Sequence, residues 1–579
     1  MSTRFSGPGL GLRCLLSLVF LLNLAFLQPA VAAESDKAEE ETVKTLQPIL
    51  VVNVASLNRS LNDIASMFFV SDRPDLVAWM DELLGEYANS LRGVEGTKPF
   101  GVMVFLRTDV LPPQPSLVAY IPVDNESEFI DTISLGPGTI TKRSDHVYEL
   151  ARRRRITRIT IQDNYAIIGE DEFVDRELPD PAEVAARLTA RYDVSAMFQL
   201  KSLPSGMRNV FTTAMVAQAS AELQQRDHES DEEYRARYAG GMSWLKLIEQ
   251  ILRDGQEVML GIDSTDDGRR AVVELSVEAK PESEFAKFLT NLSGSPSYFQ
   301  PLLSEQHPMQ MSVSWTADER EKEMMRGWVE AGQIGVRRNL PQLSEQSLRR
   351  LVDPLMATIE AGHVDGIMQF QPEGSDRFIM VGGVRIVGEE TFRAGLKEIL
   401  TAVQLKRDET GEGPEITLDE HQTKNGTLHK IALDSADGET QRIYGGVPEI
   451  YLGVDQGAVW FASGKDGVRT SLSNAMAKTA AVTAGTRSRQ NVPFQMIFHM
   501  QPWLSLPERE NANPDERAFA MAAMDGSSDS LKIELQPREN GGTVRFQFEE
   551  GFVRMLGRGI GAGYDQYLES QQVPTEADE

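Results

Sequence analysis

One pattern constrains this chain more than any other: an apolar strand, then Glu-x-x-Phe, then a short helix, and it occurs four times. It is first met at residues 118–133, V-A-Y-I-P-V-D-N-E-S-E-F-I-D-T-I. Glu126-Ser127-Glu128-Phe129 follows the strand around Tyr120, and Glu282-Ser283-Glu284-Phe285 follows residues 271–277. Glu389-Glu390-Thr391-Phe392 follows residues 378–386, and Glu549-Glu550-Gly551-Phe552 follows residues 543–548. A chain with such internal recurrence is read as a repeat protein before any other fold is considered.

At each copy a period of two gives way to a period of three and four. In the second copy Val272, Glu274 and Ser276 alternate with Val273, Leu275 and Val277, and Phe285, Phe288, Leu289 and Leu292 then recur at helical spacing. Acidic residues at the changeover fit a helix start, where carboxylates meet unpaired N–H groups and the positive end of the helix dipole. The phenylalanine then lies one turn in, facing the sheet.

The steps between the glutamates are 156, 107 and 160 residues, and the half-chain offsets are 263 for Glu126 to Glu389 and 267 for Glu282 to Glu549. Alternating long and short steps predict two units, A and B, duplicated as A-B-A-B. The expected division is a signal peptide over 1–33, an acidic linker over 34–46 and a first half over 47–300. A second A unit over 301–480, a linker over 481–492 and a second B unit over 493–579 follow.

The order strand, helical segment, hairpin, helix, further strand predicts an α+β fold of β-α-β-β-α-β-like units, with mostly antiparallel sheets covered by helices. Strands are expected at residues 49–54, 100–106 and 117–123, and again at 147–150, 156–161 and 165–168. The clearest helical stripe is Leu76, Met80, Leu83, Leu84, Tyr87 and Leu91 after Asp72 and Pro74. Unit B opens with residues 194–200, a charged helix over 227–237 and a stripe through Trp244, Leu247, Ile248, Ile251 and Leu252. In the second half, residues 309–315, 366–370 and 378–386 read as strands, as do 450–454, 459–463, 494–500, 531–535 and 543–548. Residues 408–414, 435–439 and 478–491 read as loops. Little strand-like sequence follows Leu292 or Gly563, so the B units are expected to borrow an edge from a neighbour.

The N-terminus carries Arg4 and Arg13, an uncharged, largely apolar run over 14–27 and then Ala30-Val31-Ala32-Ala33, which reads as a secretory signal cleaved near Ala32 or Ala33. The alternative is a retained anchor. The single cysteine, Cys14, lies inside that segment, so the mature chain has no thiol for disulfides, metal or nucleophilic catalysis. Removing the segment moves the formal charge from −28 to −30, which opposes nucleic-acid binding, since phosphate contacts need clustered Lys and Arg. Beyond it no apolar run reaches the ~18 residues that span a bilayer.

Several stretches combine into a resemblance. Lys98-Pro99-Phe100-Gly101-Val102-Met103, Arg191-Tyr192-Asp193-Val194 with Leu203-Pro204 and Arg208, Ala239-Gly240-Gly241, Val381-Gly382-Gly383, Ala462-Ser463-Gly464-Lys465-Asp466 and the helix after Glu549-Glu550-Gly551 carry it. The whole mature chain resembles large secreted bacterial proteins, chiefly of planctomycete type, whose function is unknown. The resemblance implies an exported repeat protein and brings no catalytic residues.

Each chemical motif has a plainer reading. Asp263, Thr265, Asp267, Gly268 and Glu274 approach the spacing of a calcium loop, but strands flank them where helices are required, and an Asp-Gly hairpin turn accounts for them. Arg152 to Arg155 with Arg158 would suit an anion, or protect a strand edge. Gly557, Gly559, Gly561 and Gly563 do not spell a dinucleotide fingerprint and suit close helix packing or a frayed helix end. No two of the seven histidines (146, 228, 307, 363, 421, 429, 499) are four apart, and Ser243, two residues after Gly241, lacks the second glycine of a nucleophile elbow and sits in a helical stripe. No residue is therefore assigned to catalysis, ligand binding or metal, and no cofactor is implied. The expectation is a non-enzymatic, exported binding or structural component of the periplasm or cell surface, with a protein or envelope polymer as partner. The alternatives are an extracytoplasmic, metal-independent hydrolase-type enzyme using carboxylates, and a sensor or chaperone-like partner of exported proteins.

Overall fold

The computed structural model describes residues 46–572 apart from 88–91, 108–112, 136–137, 153–154, 171–173, 175–176, 294, 424–425, 482–491 and 509–512. The signal segment, most of the acidic linker, Cys14, Leu91, Arg153 and Arg154, and nearly all of the second linker lie outside the described residues. In chain order the elements begin with β1 (Leu50–Val54), α1 (Leu57–Val70), α2 (Pro74–Tyr87), β2 (Phe100–Arg107), β3 (Gln114–Pro122) and α3 (Glu126–Ser134). Next come β4 (Thr139–Ser144), β5 (Val147–Arg152), β6 (Arg155–Gln162), β7 (Tyr165–Glu170) and α4 (Pro181–Thr189). They are followed by β8 (Val194–Phe198), α5 (Ser205–Glu222), α6 (Asp231–Asp254), β9 (Gly255–Ser264), β10 (Ala271–Ala279) and α7 (Glu284–Asn291). Then stand β11 (Met309–Thr316), α8 (Glu319–Asn339), α9 (Glu345–Ala361), β12 (His363–Pro372), β13 (Phe378–Arg385) and α10 (Glu389–Thr410). After these are β14 (Glu415–Gln422), β15 (Thr427–Ala432), α11 (Gly438–Tyr444), β16 (Glu449–Asp455), β17 (Ala458–Gly464) and α12 (Val468–Ala480). The last are β18 (Phe494–His499), α13 (Met500–Leu504), α14 (Pro514–Met524), β19 (Ser530–Arg538), β20 (Gly541–Phe548) and α15 (Glu550–Gln572). This is an α+β fold whose strand pairs are antiparallel throughout.

The described residues form two compact units, one of 46–57 with 87–190 and one of 58–86 with 191–572. In the first, the strands lie in the order β1-β2-β3-β7-β6-β5-β4. Its core gathers Val123, Phe129, Leu150, Ile159 and Ala166. One buried polar pair crosses it: the Tyr120 hydroxyl donates to Asn53 Oδ1 at 2.8 Å, and the Asn53 amide donates to Thr189 on α4.

In the second unit the order is β8-β9-β10-β20-β19-β18-β11-β12-β13-β17-β16-β15-β14. The helical segment expected after each opening strand is a pair of helices, as α8 and α9 are between β11 and β12. Two helices return the chain to the end where the strand finished, so the next strand runs back beside it and the neighbours are antiparallel. The three-stranded segments do take an edge from elsewhere: β20 lies on β10, and β18 lies on β11. Phe299, Ile367, Val381, Leu428 and Trp460 form a core under α12, and Ile386, Phe392, Leu396, Leu400 and Val454 form another under α10.

The Glu-x-x-Phe sites are not uniform. Phe129, Phe285 and Phe392 are buried, whereas Phe552 is half-buried and Val553 beside it takes the interior position. Glu126 and Glu389 stand in first helical turns, but Glu549 precedes its helix, and Glu282 lies before its own in left-handed backbone, φ 61°, where Ser283 is the cap, accepting from the Ala286 N–H at 3.1 Å. Leu252 of the expected α6 stripe is buried, but Trp244 is exposed and the neighbouring Leu245 is buried in its place. Residues 408–410 belong to α10, while α1, α4, β4, β14, β15 and α12 occupy stretches in which the sequence reading placed no element.

Candidate functional site: an apolar sheet face

Strand alternation puts two different surfaces on the sheet of the second unit. One row runs Ser195, Gly261, Glu274, Arg545, Glu534, Gln495 and Ser312, each opposite the next across the ladder. This polar row faces inward. Glu274 is only 4% exposed and is held by Arg191 at 2.7 Å, by Arg545 at 2.9 Å and by the Tyr192 hydroxyl at 2.6 Å. Burial first, and the Glu274 carboxylate second, push the Tyr192 phenol up to about 12. Glu534 is met by Lys532 and Gln495, both at 2.9 Å, and Ser276 shares a 2.8 Å hydrogen bond with Thr543. Every charge buried in this row has a partner, which is the condition for placing charge inside a fold.

The other surface is apolar and partly open. A row of Ile262, Val273, Phe546, Ile533, Met496, Met311 and Met368 crosses seven strands, and Leu260, Leu275, Val544, Leu535, Phe494 and Val313 form the next. Leu260 and Ile262 are 42% and 44% exposed, and the rest are half-buried. Along the strands this band is bounded on one side by α7, which packs on Val277, Leu535 and Trp315. On the other side Trp503 lies 5.8 Å from Phe498 and 5.2 Å from Phe370, and Phe552 lies 6.1 Å from Phe548. Isolated exposed apolar residues need no explanation, but contiguous rows of them mark an interaction surface.

The motifs singled out in the sequence are otherwise engaged. Asp263 stands opposite Val272 and accepts from Arg59 at 2.9 Å; Asp267 accepts from Thr265 and the Arg269 N–H within the turn; Glu274 belongs to the polar row. Among the described residues no group of three or more Cys, His, Asp or Glu is placed to hold a metal ion. Arg158 lies 4.0 Å from Glu149, which Arg143 also meets, so this basic patch is partly neutralised. Ser243 is buried and accepts from Arg320 at 3.0 Å. Gly557 and Gly561 let α15 approach Ser71 and Arg73, where a Cβ would collide. His146 pairs with Glu126, and His429 is buried and neutral-leaning, burial lowering its basicity.

Two shallow recesses lie between helices, of about 510 Å³ at α9 and α10 and about 370 Å³ at α6 and α8. Their carboxylates are paired: Glu398 with Arg350, Glu323 with Lys246 and Glu330 with Arg235. Neither supplies the free carboxylate pair that glycoside hydrolysis requires.

His499 shows a different chemistry. Its Nδ1 meets Asp529 at 2.9 Å and its Nε2 meets the Glu305 carbonyl at 2.8 Å, and the Asp529 hydrogen bond raises its pKa above the ordinary histidine value. A raised histidine stabilises the fold fully below its unfolded pKa, and that contribution is lost as pH rises through the folded value. His499→Gln is therefore expected to lower the melting temperature more at pH 6 than at pH 9, as scanning calorimetry at the two pH values would report.

No helix among the described residues is long and apolar enough to cross a membrane. Comparison with protein-family models, curated proteins and solved structures finds no match to this chain.

Proposed function

We propose that this chain is an exported, non-enzymatic binding component of the periplasm or cell surface, and that the apolar band of its second unit holds an apolar segment of another protein. The observation that carries the reading is the unbroken row from Ile262 to Met368, half-open on a sheet whose opposite face carries the Glu274 row and the buried Met197, Met259, Val272 and Ile497. Three of its seven members, Met496, Met311 and Met368, are methionines, and flexible thioethers adapt to varied apolar partners. A formal charge of −28 keeps a chain with such a surface soluble. Export rests on the N-terminal charged, apolar and small-residue sequence, and on the resemblance to secreted proteins.

The A-B-A-B duplication belongs to the same proposal. It is supported by the strand order of the first unit, β1-β2-β3-β7-β6-β5-β4, which recurs as β11-β12-β13-β17-β16-β15-β14. Ser276 and Thr543, which bond to each other, are 267 residues apart, the same offset that separates Glu282 from Glu549. Equivalent residues that pair with each other define a local two-fold axis.

Burying one methionine side chain contributes about 1.5 to 3 kcal/mol, which is roughly tenfold or more in affinity. Met496→Glu should weaken binding of a chemically unfolded apolar polypeptide, followed by fluorescence anisotropy, by about tenfold, with the melting temperature little changed. Equal affinity of the two proteins would overturn the reading. Capture by neutral phospholipid vesicles, with no binding of the polypeptide, would replace the protein partner with a lipid surface.

A further inference from the structure

Where α1 meets the β9-β10 hairpin, charge is unbalanced. Arg59 reaches Asp193 through Nε and Asp263 through Nη2, the latter at 2.9 Å. Asp63 stands one helical turn further along α1 with its Oδ2 buried and without a hydrogen bond. Asp193 is 6% exposed and also accepts from the Ser264 N–H at 2.7 Å and the Ser264 hydroxyl at 3.1 Å. Two carboxylates thus pair with one guanidinium, and a third, Asp63, lies within its field. The neighbours do not correct the balance: Arg191 and Arg545 are committed to Glu274, Arg269 and Arg270 to Glu550 and Glu549, and Asp266 adds a further negative charge beside Asp63. Uncharged contacts also cross the junction, the Ser66 hydroxyl to the Asp266 carbonyl at 3.3 Å and Gly268, φ 66°, against Ser66 and Met67.

We propose that α1 is fastened to the β9-β10 hairpin by a proton-operated latch, in which Asp193 and Asp263 share the Arg59 guanidinium and a proton on Asp63 closes the contact. Burial first, and the Asp193 charge second, push the Asp63 carboxyl up to about 6, while Arg59 and Ser264 hold it down; burial and Asp193 raise Asp263 as well. A carboxyl raised in the docked state stabilises that state most below its free value of 3.8, and the stabilisation is lost as pH rises through about 6. The latch is closed in mild acid and loosened above neutrality. Local opening of one helix, without global unfolding, is the ordinary way such a segment responds.

Hydrogen exchange by mass spectrometry on the full chain tests this, comparing amides of α1 with those of α10 and correcting for intrinsic exchange rates. Protection of α1 relative to α10 should be about tenfold lower at pH 7 than at pH 5, the change that linkage between 3.8 and about 6 allows. Asp63→Asn should abolish the step and hold α1 at pH 7 as firmly as the parent holds it at pH 5. Equal relative protection at both pH values in the parent protein would overturn the latch. So would a step of undiminished size in Asp63→Asn.

Discussion

Phe285→Ala is expected to lower the stability of the second unit by about 3 to 5 kcal/mol, the cost of removing a large ring from a close-packed core. Phe285 is 1% exposed, stacks 6.2 Å from Phe288 and packs with Leu289, Leu292 and Ala279 under Leu247 and Ile251 of α6. Few neighbours can collapse into the space, because α7 is tied down on one side by its cap and on the other by β10. A denaturant titration followed by circular dichroism would report the loss as a shifted midpoint. Ser283→Ala, which removes the cap alone, should cost only about 1 kcal/mol. Glu282→Gly should cost nothing or stabilise, since Glu282 adopts φ 61°, a conformation easier for glycine than for any other residue. A loss at Phe285 no larger than that at Ser283 would mean that the helix is not anchored through its phenylalanine.

The second large effect is expected at Glu274. Taking one partner from a buried ion pair commonly costs 3 to 5 kcal/mol, because the other charge is stranded. Here Arg191 and Arg545 remain about one-third exposed and can turn to water, so the expected loss for Glu274→Ala is nearer about 2 to 3 kcal/mol. Glu274→Gln keeps the shape and an acceptor for the Tyr192 hydroxyl, and should lose less. Chemical denaturation of the three proteins at pH 7 orders them; alanine and glutamine variants of equal stability would show that the guanidinium contacts contribute little.

The strand β10 shows how far the sequence could be read. V-V-E-L-S-V announces a half-buried strand, and the strand is there. Alternation alone, however, assigns the apolar residues to the interior, whereas Glu274 and Ser276 are buried and Val273 and Leu275 half-open. The side that closes is decided by Arg191 and Arg545, which are 83 and 271 positions from Glu274, a distance no local pattern reaches. The apolar band was hidden for the same reason: each of its residues looked like ordinary core. The helix α12 escaped notice because its start carries no acidic or hydroxyl cap; Gly467 at φ 63° begins it. The α1 junction had one visible trace, the acidic residues of 263–267, which resembled a calcium loop because the hairpin and the latch need carboxylates at the same place.

The seam between β10 and β20 bears on how the protein is made. Its hydrogen-bonded pair, Ser276 and Thr543, is separated by 267 residues, so at roughly 5 to 20 residues per second β10 emerges from the ribosome some 10 to 50 s before its partner strand exists. Throughout that interval one edge of β10, with Val273 and Leu275 beside it, has no strand to pair with. Such an edge invites pairing with other chains. Synthesis of this protein therefore demands that its first half be kept unfolded or guarded until residues 494–548, those carrying β18 to β20, have followed it.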